Sequence, residues 1–334
     1  MRVEPLVSVA TPVYNGESHL AECIESVLAQ TYQNWEYIIV NNCSTDRTRE
    51  IAESYGRKDE RIRVHNNEQL VKMGPNHDIA LSLISPESQY CKVLHADDFM
   101  FPECLERMVN VAVANPSVGI VGAYRLDNKE VNLDGLPYPS TVVSGREICR
   151  QFLLNGLFVF GSPSSVLIRS DLIRSRKQYI DDDTFFMHGD TAACHEMLMN
   201  TEFGFVHQVL TFTRRHQGAT DTPRAVMLNS YLPASIMMLK TYGPFYLEPD
   251  EFEECMERGL REYYNFLGKN LVAYRDMDFW KFHCDALKAL GIRLSYGRLV
   301  WASIRTAKKS YLLHPFKTAG SILKSVRHLA ANQL

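Results

Sequence analysis

What is missing from this sequence narrows its reading first. None of its eight cysteines (Cys23, Cys43, Cys91, Cys104, Cys149, Cys194, Cys255 and Cys284) forms a C-x-x-C pair, and they are spread evenly along 334 residues. A chain this long rarely needs a disulfide framework, and a structural zinc site has no ligand cluster to build on. The thiols therefore read as buried side chains of a reducing compartment. No long apolar run follows a basic start at Met1–Val9, so no secretory signal is visible. The longest uncharged stretch, Gln151–Ile168, contains Asn155, Gly156, Gly161, Ser162, Pro163, Ser164 and Ser165 and is too polar to span a bilayer. We expect a cytoplasmic protein, either free or peripheral on the inner face of the membrane. Also absent are G-x-G-x-x-G after the first strand, G-x-x-x-x-G-K-[ST] and G-x-S-x-G. These absences disfavour a classical dinucleotide site, a P-loop and an ordinary α/β hydrolase.

Acidic residues are missing from one region only. Between Ala286 and Leu334 there are nine Lys or Arg and no Asp or Glu, so the first 285 residues hold all 39 acids and carry a net charge of −12. An acidic body with a basic tail repels nucleic-acid phosphates over most of its surface, and no nucleic-acid partner is expected. The tail shows two apolar stripes with basic residues between them. Leu290, Leu294, Val300, Ile304 and Ala307 form the first, and Ala319, Ile322, Leu323, Val326 and Leu329 the second. Such a segment, residues 290–334, suits peripheral contact with an anionic membrane. It suits equally well a bracing role, with the apolar faces packed on the body.

Strand and helix signals alternate through the first part of the chain. Strands are predicted at Leu6–Ala10, Trp35–Val40, Arg61–His65, Tyr90–His95 and Val118–Ala123. Helices are predicted at His19–Gln30, from Ser44-Thr45-Asp46 to Tyr55, at Asn76–Leu83 and from Pro102 to Ala114. Further on, Lys129–Thr141 reads as loop, Val143–Leu154 as helix, Ser164–Ile168 as strand, Asp190–Met199 as helix and Phe205–Thr211 as strand. From Pro223 the pattern is all-helical. The expected architecture is α/β, a doubly wound sheet flanked by helices. Residues 1–222 form the catalytic domain and 223–334 a helical C-terminal region. In such a sheet ligands bind beyond the carboxyl ends of the strands. Three polar clusters fall there: Thr11–Asn15, Asn41–Asp46 and His95–Asp98.

Two of these residues, Asp97 and Asp98, follow an apolar strand directly. Adjacent carboxylates repel unless a cation shares them, and hard oxygen donors suit Mg²⁺ or Mn²⁺ that also holds phosphates. The same Asp residues can instead cap the helix opened by Pro102.

The ordered segments Val7-Ser-Val-Ala-Thr-Pro-Val-Tyr-Asn15, Ile24-Glu-Ser-Val-Leu-Ala-Gln-Thr-Tyr32, Val40-Asn-Asn-Cys-Ser-Thr-Asp46 and Leu94-His-Ala-Asp-Asp98 closely resemble glycosyltransferase family 2, over roughly residues 6–218. The resemblance implies a GT-A type mixed sheet and an inverting, metal-dependent enzyme. Its donor would be a nucleoside-diphosphate sugar and its acceptor a glycan or lipid-linked glycan, as in polysaccharide or lipopolysaccharide assembly. It places Thr11, Pro12, Val13 and Tyr14 around the nucleotide, with Asn41, Asn42 and Asn76 at the base and Lys72 nearby. Asn41, Asn42 and Cys43 depart from the family's Asp-Asp-Gly, and His95 replaces the first Asp of Asp-x-Asp-Asp. Asp98 then matches the metal ligand and Asp97 the residue that meets ribose or metal. Phe186-Met-His-Gly-Asp190 resembles the segment whose last Asp is the catalytic base, with Gly189 in place of Glu. Asp190 can alternatively cap the helix that follows, and Asp181, Asp182 and Asp183 are rival acids. Thr213-Arg-Arg-His216 resembles the segment that closes on the diphosphate. This assigns Arg214, Arg215 and His216 to phosphate, with His216 also a possible metal ligand. Phe160–Ser165 falls where the family shapes its acceptor pocket. Against the enzyme stand a non-catalytic nucleotide-sugar or glycan-binding protein on the same fold, motivated by the departures at Asn41, Asn42 and His95, and a nucleotidyltransferase, which would release pyrophosphate.

Overall fold

The computed structural model describes residues 4–215, 222–273 and 275–313, with the side chains of residues 222, 223, 272 and 306–313 excepted. The alternation predicted above becomes β1 (Val7–Val13), α1 (Leu20–Leu28), β2 (Trp35–Asn41), α2 (Thr48–Gly56), β3 (Ile62–Asn66), α3 (Met73–Ser82), β4 (Tyr90–Val93), β5 (Phe99–Met100), α4 (Cys104–Ala114) and β6 (Val118–Asp127). Every residue of β1 and of β2 is buried, because helices cover both faces of the sheet and leave no polar side. In α1 the buried residues Leu20, Cys23, Ile24 and Val27 recur at i, i+3, i+4 and i+7, so a single stripe meets the sheet. Burying Leu20, Ile24 or Val27 contributes about 2 kcal/mol each.

The remainder of the sheet departs from the simple alternation. The predicted loop contains β7 (Glu130–Asn132), which folds back on β6 across Asn128 and Lys129, with Asn128 in the left-handed region at φ 52°. The predicted helix from Val143 opens instead with β8 (Val142–Ser144), and α5 (Gly145–Asn155) follows. A 3-10 turn at Pro163–Ser165 precedes β9 (Leu167–Arg169), so this strand starts three residues later than predicted. It is antiparallel to both β4 and β6, which makes the sheet mixed. After α6 (Ser170–Arg174) and α7 (Gly189–Met197), β10 (Glu202–Thr213) is longer than predicted at both ends. The ten strands form one sheet with the main order β3-β2-β1-β4-β9-β6-β10-β5. The order reverses at β1, between β2 and β4, which is where an open α/β sheet forms its ligand crevice.

The helices that follow are α8 (Thr222–Leu228), α9 (Tyr231–Tyr246), α10 (Pro249–Ala273), α11 (Met277–Ala289) and α12 (Tyr296–Leu313). Two compact units result. One comprises Met1–Asp183 and His188–Ala219 and holds the sheet; the other comprises Thr184–Met187 and Thr220–Leu334. The short segment joins the second unit through Phe185, which stacks on Tyr242 with ring centroids 5.9 Å apart, and Phe186, edge-on to Phe282. Within the helical unit, α10 and α12 cross closely at Gly268, where a Cβ would lie 2.8 Å from the Ala302 backbone.

The first predicted stripe of the tail is not one face. Gly291, at φ 68°, ends α11 and separates Leu290 from the helix that carries Val300. Among the described side chains of α12, Leu299, Ala302 and Ser303 are buried, whereas Trp301 and Ile304 are exposed. The second stripe, Ala319–Leu329, lies outside the described residues. No helix among the described residues is long and apolar enough to cross a membrane. All eight cysteines are free, six of them buried.

Candidate active site

The site begins where β1 and β4 stop pairing. Their parallel ladder runs only from Val7↔Tyr90 to Ala10↔Val93. Pro12 has no N–H with which to continue it, and the Leu94 carbonyl instead accepts a 2.7 Å bond from the Thr11 hydroxyl. That hydroxyl also lies 2.8 Å from Tyr37 Oη. Thr11 is thus committed to the core, and Pro12 and Val13 are buried in the strand. Of the four residues that the resemblance places around the nucleotide, Tyr14 alone presents a large exposed face, at 44%.

Across from β1, the carboxyl end of β2 carries Asn41 and Asn42, both buried. Their amides bond to the neighbouring segments at Ser44, Asn66, Asn67 and Val71. Asn41 donates to Asn66 Oδ1 at 2.8 Å and accepts from the Ser44 N–H. Asn42 clamps Val71 from both sides: Nδ2 donates to the Val71 carbonyl at 2.8 Å, and Oδ1 accepts from the Val71 N–H at 3.0 Å. Asn67 donates to both Asn42 Oδ1 and Asn76 Oδ1. This explains the departure from Asp at position 42, since a carboxylate cannot donate to the Val71 carbonyl. The Oδ1 of Asn67 is buried without a hydrogen-bond partner, and it lies in this amide cluster.

Beyond β4 stand His95, Asp97 and Asp98. One ligand atom from each lies within 4.8 Å of the others. Asp98 is 3% exposed. Its Oδ1 accepts from the Arg214 backbone N–H at 3.1 Å, and burial raises its carboxyl above the ordinary range. Neither Asp caps a helix: α4 starts at Cys104 with Glu103 at its N-cap and no side-chain cap bond. An imidazole and two carboxylates at one strand end are a donor set that suits a divalent cation such as Mn²⁺. His95 is itself held from two sides. Its N–H donates to Ser164 Oγ at 3.0 Å, and its Nε2 lies 3.1 Å from Nε2 of His77 in α3. Burial pushes the His77 imidazole down to about 3, so the ring is neutral.

Two registers of β10 bring the arginines to this rim. The antiparallel pairing Phe212↔Phe99 carries Arg214 to the Asp pair, and the parallel pairing Thr213↔Asp127 carries Arg215 to the end of β6. Arg214 donates through Nε to the Asp97 carbonyl and through Nη2 to Glu22 at 2.5 Å. Arg215 makes a bidentate pair with Asp127, at 2.8 and 2.7 Å. Asp127 also takes Nη2 of the buried Arg125 at 3.2 Å. Burial would raise the Asp127 carboxyl, but the two guanidiniums hold it below the ordinary carboxylate range. His216 lies outside the described residues.

Asp190 sits in the first turn of α7, where its Oδ1 accepts from the Thr191 N–H at 2.7 Å. It does not cap the helix: the N-cap is His188, and Asp182 takes the Gly189 N–H at 3.2 Å. Burial raises the Asp190 carboxyl. Gly189 stands where the resembled pattern has Glu because a Cβ there would lie 2.5 Å from the Asp181 nitrogen. Asp190 lines one small cleft with Phe160, Gly161, Ser162, Pro163 and Tyr179, so the structure joins it to the predicted acceptor segment. Asp183 pairs with Lys72 at 3.1 Å, both exposed. Trp35 and Trp280 are core residues.

The sequence reading missed Asn67, His77, Asp127 and the specific part of Ser164. The repeated Asn at 66, 67 and 76 was a visible signal. Nothing marked His77 or Asp127, whose partners lie 18 and 88 residues away.

Residues 8–176 match the profile of Glycosyl transferase family 2. The Glycosyltransferase GlyG of Streptococcus pneumoniae is 28% identical over 228 residues, covering 64% of this chain and 72% of GlyG. S. aureus TarS 1–349, crystallised in complex with UDP, superposes with a TM-score of 0.62 at 17% identity, over 98% of this chain and 91% of that one. The mannosyltransferase PcManGT of Pyrobaculum calidifontis, crystallised with GDP-Man and Mn²⁺, gives 0.52 at 13% identity over 99% and 87%. At such identities the structures share the fold, a mixed sheet of the GT-A type with helices beyond it. With the ordered motifs, the carboxyl-end rim and a family match over half its length, the chain belongs to glycosyl transferase family 2.

Proposed function

We propose that the protein is an inverting, metal-assisted glycosyltransferase that moves a sugar from a nucleoside-diphosphate donor to a sugar hydroxyl of a glycan or lipid-linked glycan. The observation that carries this reading is the convergence of His95, Asp97 and Asp98 at the reversal point of the sheet. The cleft that holds Asp190 supports it. Asp98 and Asp97 would hold Mn²⁺ or Mg²⁺, which when bound neutralises the charge that develops on the departing diphosphate. Tyr14 flanks the nucleotide, and the amide cluster of Asn41, Asn42, Asn67 and Asn76 shapes the wall against its base. Asp190 accepts the proton of the acceptor hydroxyl as that oxygen bonds to the anomeric carbon. The bond from that carbon to the diphosphate oxygen breaks with its electron pair on the diphosphate, and the configuration inverts. Arg214 and Arg215 add positive charge at the diphosphate end, and His216 stands next to them in sequence. On this reading residues 1–222 perform transfer and residues 223–334 support it. The exposed Trp301 and Ile304, beside Arg305, then meet the anionic inner face of the membrane.

A panel of nucleotide sugars screened by thermal shift with Mn²⁺ tests the reading, because a bound donor raises the melting temperature. The sugar of the donor that binds should appear in the product with opposite anomeric configuration by proton NMR. Retained configuration, or no stabilisation by any nucleotide sugar, contradicts it.

A further inference from the structure

Lys92 belongs to β4 and is fully buried, yet it takes no part in the chemistry proposed above. Its partners are carbonyl oxygens and not carboxylates. Nζ donates to the Ser164 carbonyl at 2.8 Å and to the Val166 carbonyl at 3.2 Å, with Met108 Sδ at 3.9 Å. Both carbonyls lie where β9 meets the sheet. The antiparallel ladder of β4 and β9 holds Tyr90↔Arg169 and Cys91↔Ile168, and the chain just before β9 is the 3-10 turn Pro163–Ser165. The ammonium thus supplies donors at the point where the ladder has ended. A buried charge is costly unless its hydrogen bonds are made, and an apolar side chain would fill this place without that cost.

The turn that Lys92 holds reaches both halves of the site. On one side, Ser164 Oγ accepts the His95 N–H at 3.0 Å. This is the first N–H after the bond from Leu94 to the Ala10 carbonyl, the last that this strand gives to β1. The His95 carbonyl in turn accepts the Asp98 N–H at 3.0 Å and closes the turn that carries Asp97 and Asp98. On the other side, Ser162, Pro163 and Val166 wall the cleft that holds Asp190. One buried side chain therefore anchors a short segment that meets the two carboxylates through His95 and borders the Asp190 cleft directly.

We propose that Lys92 is a positioning residue. By pinning the Ser164 and Val166 carbonyls it fixes Ser164 against the His95 N–H, and so holds the carboxylates beyond β4 at a set place relative to the Asp190 cleft. The inference rests on the metal-assisted reading above; it concerns how the two carboxylates are held, and the metal is its premise. Positioning and plain electrostatics predict opposite signs here. A cation behind the carboxylates repels a second cation, so a Lys92 that acted through charge alone would weaken Mn²⁺ binding, and its removal would strengthen it. A Lys92 that acts through Ser164 preorganises the turn, and its removal weakens Mn²⁺ binding.

The test is the Mn²⁺ affinity of the full chain, read from the electron paramagnetic resonance of free Mn²⁺ with and without UDP as a probe, at a temperature where melting curves show each variant folded. Lys92→Met, which fills the space without a donor, should weaken Mn²⁺ binding about 10-fold. Ser164→Ala, which removes the acceptor of the His95 N–H and little else, should do the same, and it keeps the test decisive if Lys92→Met does not fold. Because Lys92 acts through Ser164, the double variant should lose about 10-fold and not about 100-fold. Equal or tighter Mn²⁺ binding in Lys92→Met, equal binding in Ser164→Ala, or losses that multiply in the double variant overturn the inference. If Mn²⁺ binding is still lost in Asp98→Asn, the metal-assisted reading survives that outcome. Absence of any Mn²⁺ binding by the parent chain, with or without UDP, overturns both.

Discussion

Replacing Asn42 by Asp, the residue found at this position in the resembled pattern, should cost stability, and the size follows from three hydrogen bonds. The variant keeps the acceptor that receives the Val71 N–H and the Asn67 amide, both at 3.0 Å. It loses the Nδ2 donor and sets a carboxylate oxygen against the Val71 carbonyl, where the bond was 2.8 Å. Loss of the bond costs about 1 kcal/mol, and a buried carbonyl without a donor about 1–3 kcal/mol. Charge-assisted bonds from Val71 and Asn67 offset part of this. A net loss of about 2 kcal/mol lowers the melting temperature by roughly 4–8 °C for a unit of this size. The pH dependence has a definite sign. The repulsive carbonyl raises the folded pKa of the new carboxyl above the unfolded value of about 3.9. The deficit is therefore full above the folded pKa and shrinks as the pH falls through it, because a protonated carboxyl donates to the Val71 carbonyl again. Melting curves of Asn42→Asp and the parent chain at pH 7 and pH 5 should differ more at pH 7. A deficit below about 1 °C, or one that is equal at both pH values, refutes the clamp.

Three further outcomes follow from the same geometry. Asp190→Asn should lower kcat by about 10²–10⁴-fold with donor affinity unchanged, as expected for a lost general base. In the parent chain, activity should fall as acid protonates Asp190, at a pH above the usual carboxylate range because burial raises that group. Asp127→Asn removes the partner of the buried Arg125 and frees Arg215, and should destabilise the fold by about 3 kcal/mol at neutral pH. Since the Asp127 pKa is held low in the folded state, its contribution is present above the unfolded value and lost as pH falls, so the two chains should converge in acid denaturation. Binding to anionic liposomes should fall sharply at high salt and on deletion of residues 315–334; salt-independent binding, or none, removes the membrane reading.

Local chemistry was legible in the sequence, and partner choice was not. The strands around Val9, Ile38 and Val93 and the stripe Leu20–Val27 declared themselves because each reports its own burial. The location of Asp97 and Asp98 was legible for the same reason, an apolar strand ending in two acids. Asp127 and His77 were not, because their roles exist only once the sheet order sets β6 beside β10 and packing brings His77 of α3 to His95 beyond the end of β4. The antiparallel β9 was hidden because a short buried strand reads alike in either direction. The stripe from Leu290 to Ala307 failed because its periodicity crosses the break at Gly291, where a positive φ ends one helix before the next begins. The departure at Asn42 spoke for a non-catalytic protein, and Gly189 stood without a reason in place of Glu; the structure gives the first a hydrogen-bonding cause and the second a steric one.

The central claim is metal-assisted transfer at the β4 end of the sheet, and turnover of a bound nucleotide sugar tests it most directly. With Mn²⁺, the parent chain should release nucleoside diphosphate, and EDTA, Asp98→Asn and Asp190→Asn should each abolish that release. Release of pyrophosphate instead, or turnover in both variants at the parent rate, contradicts the account.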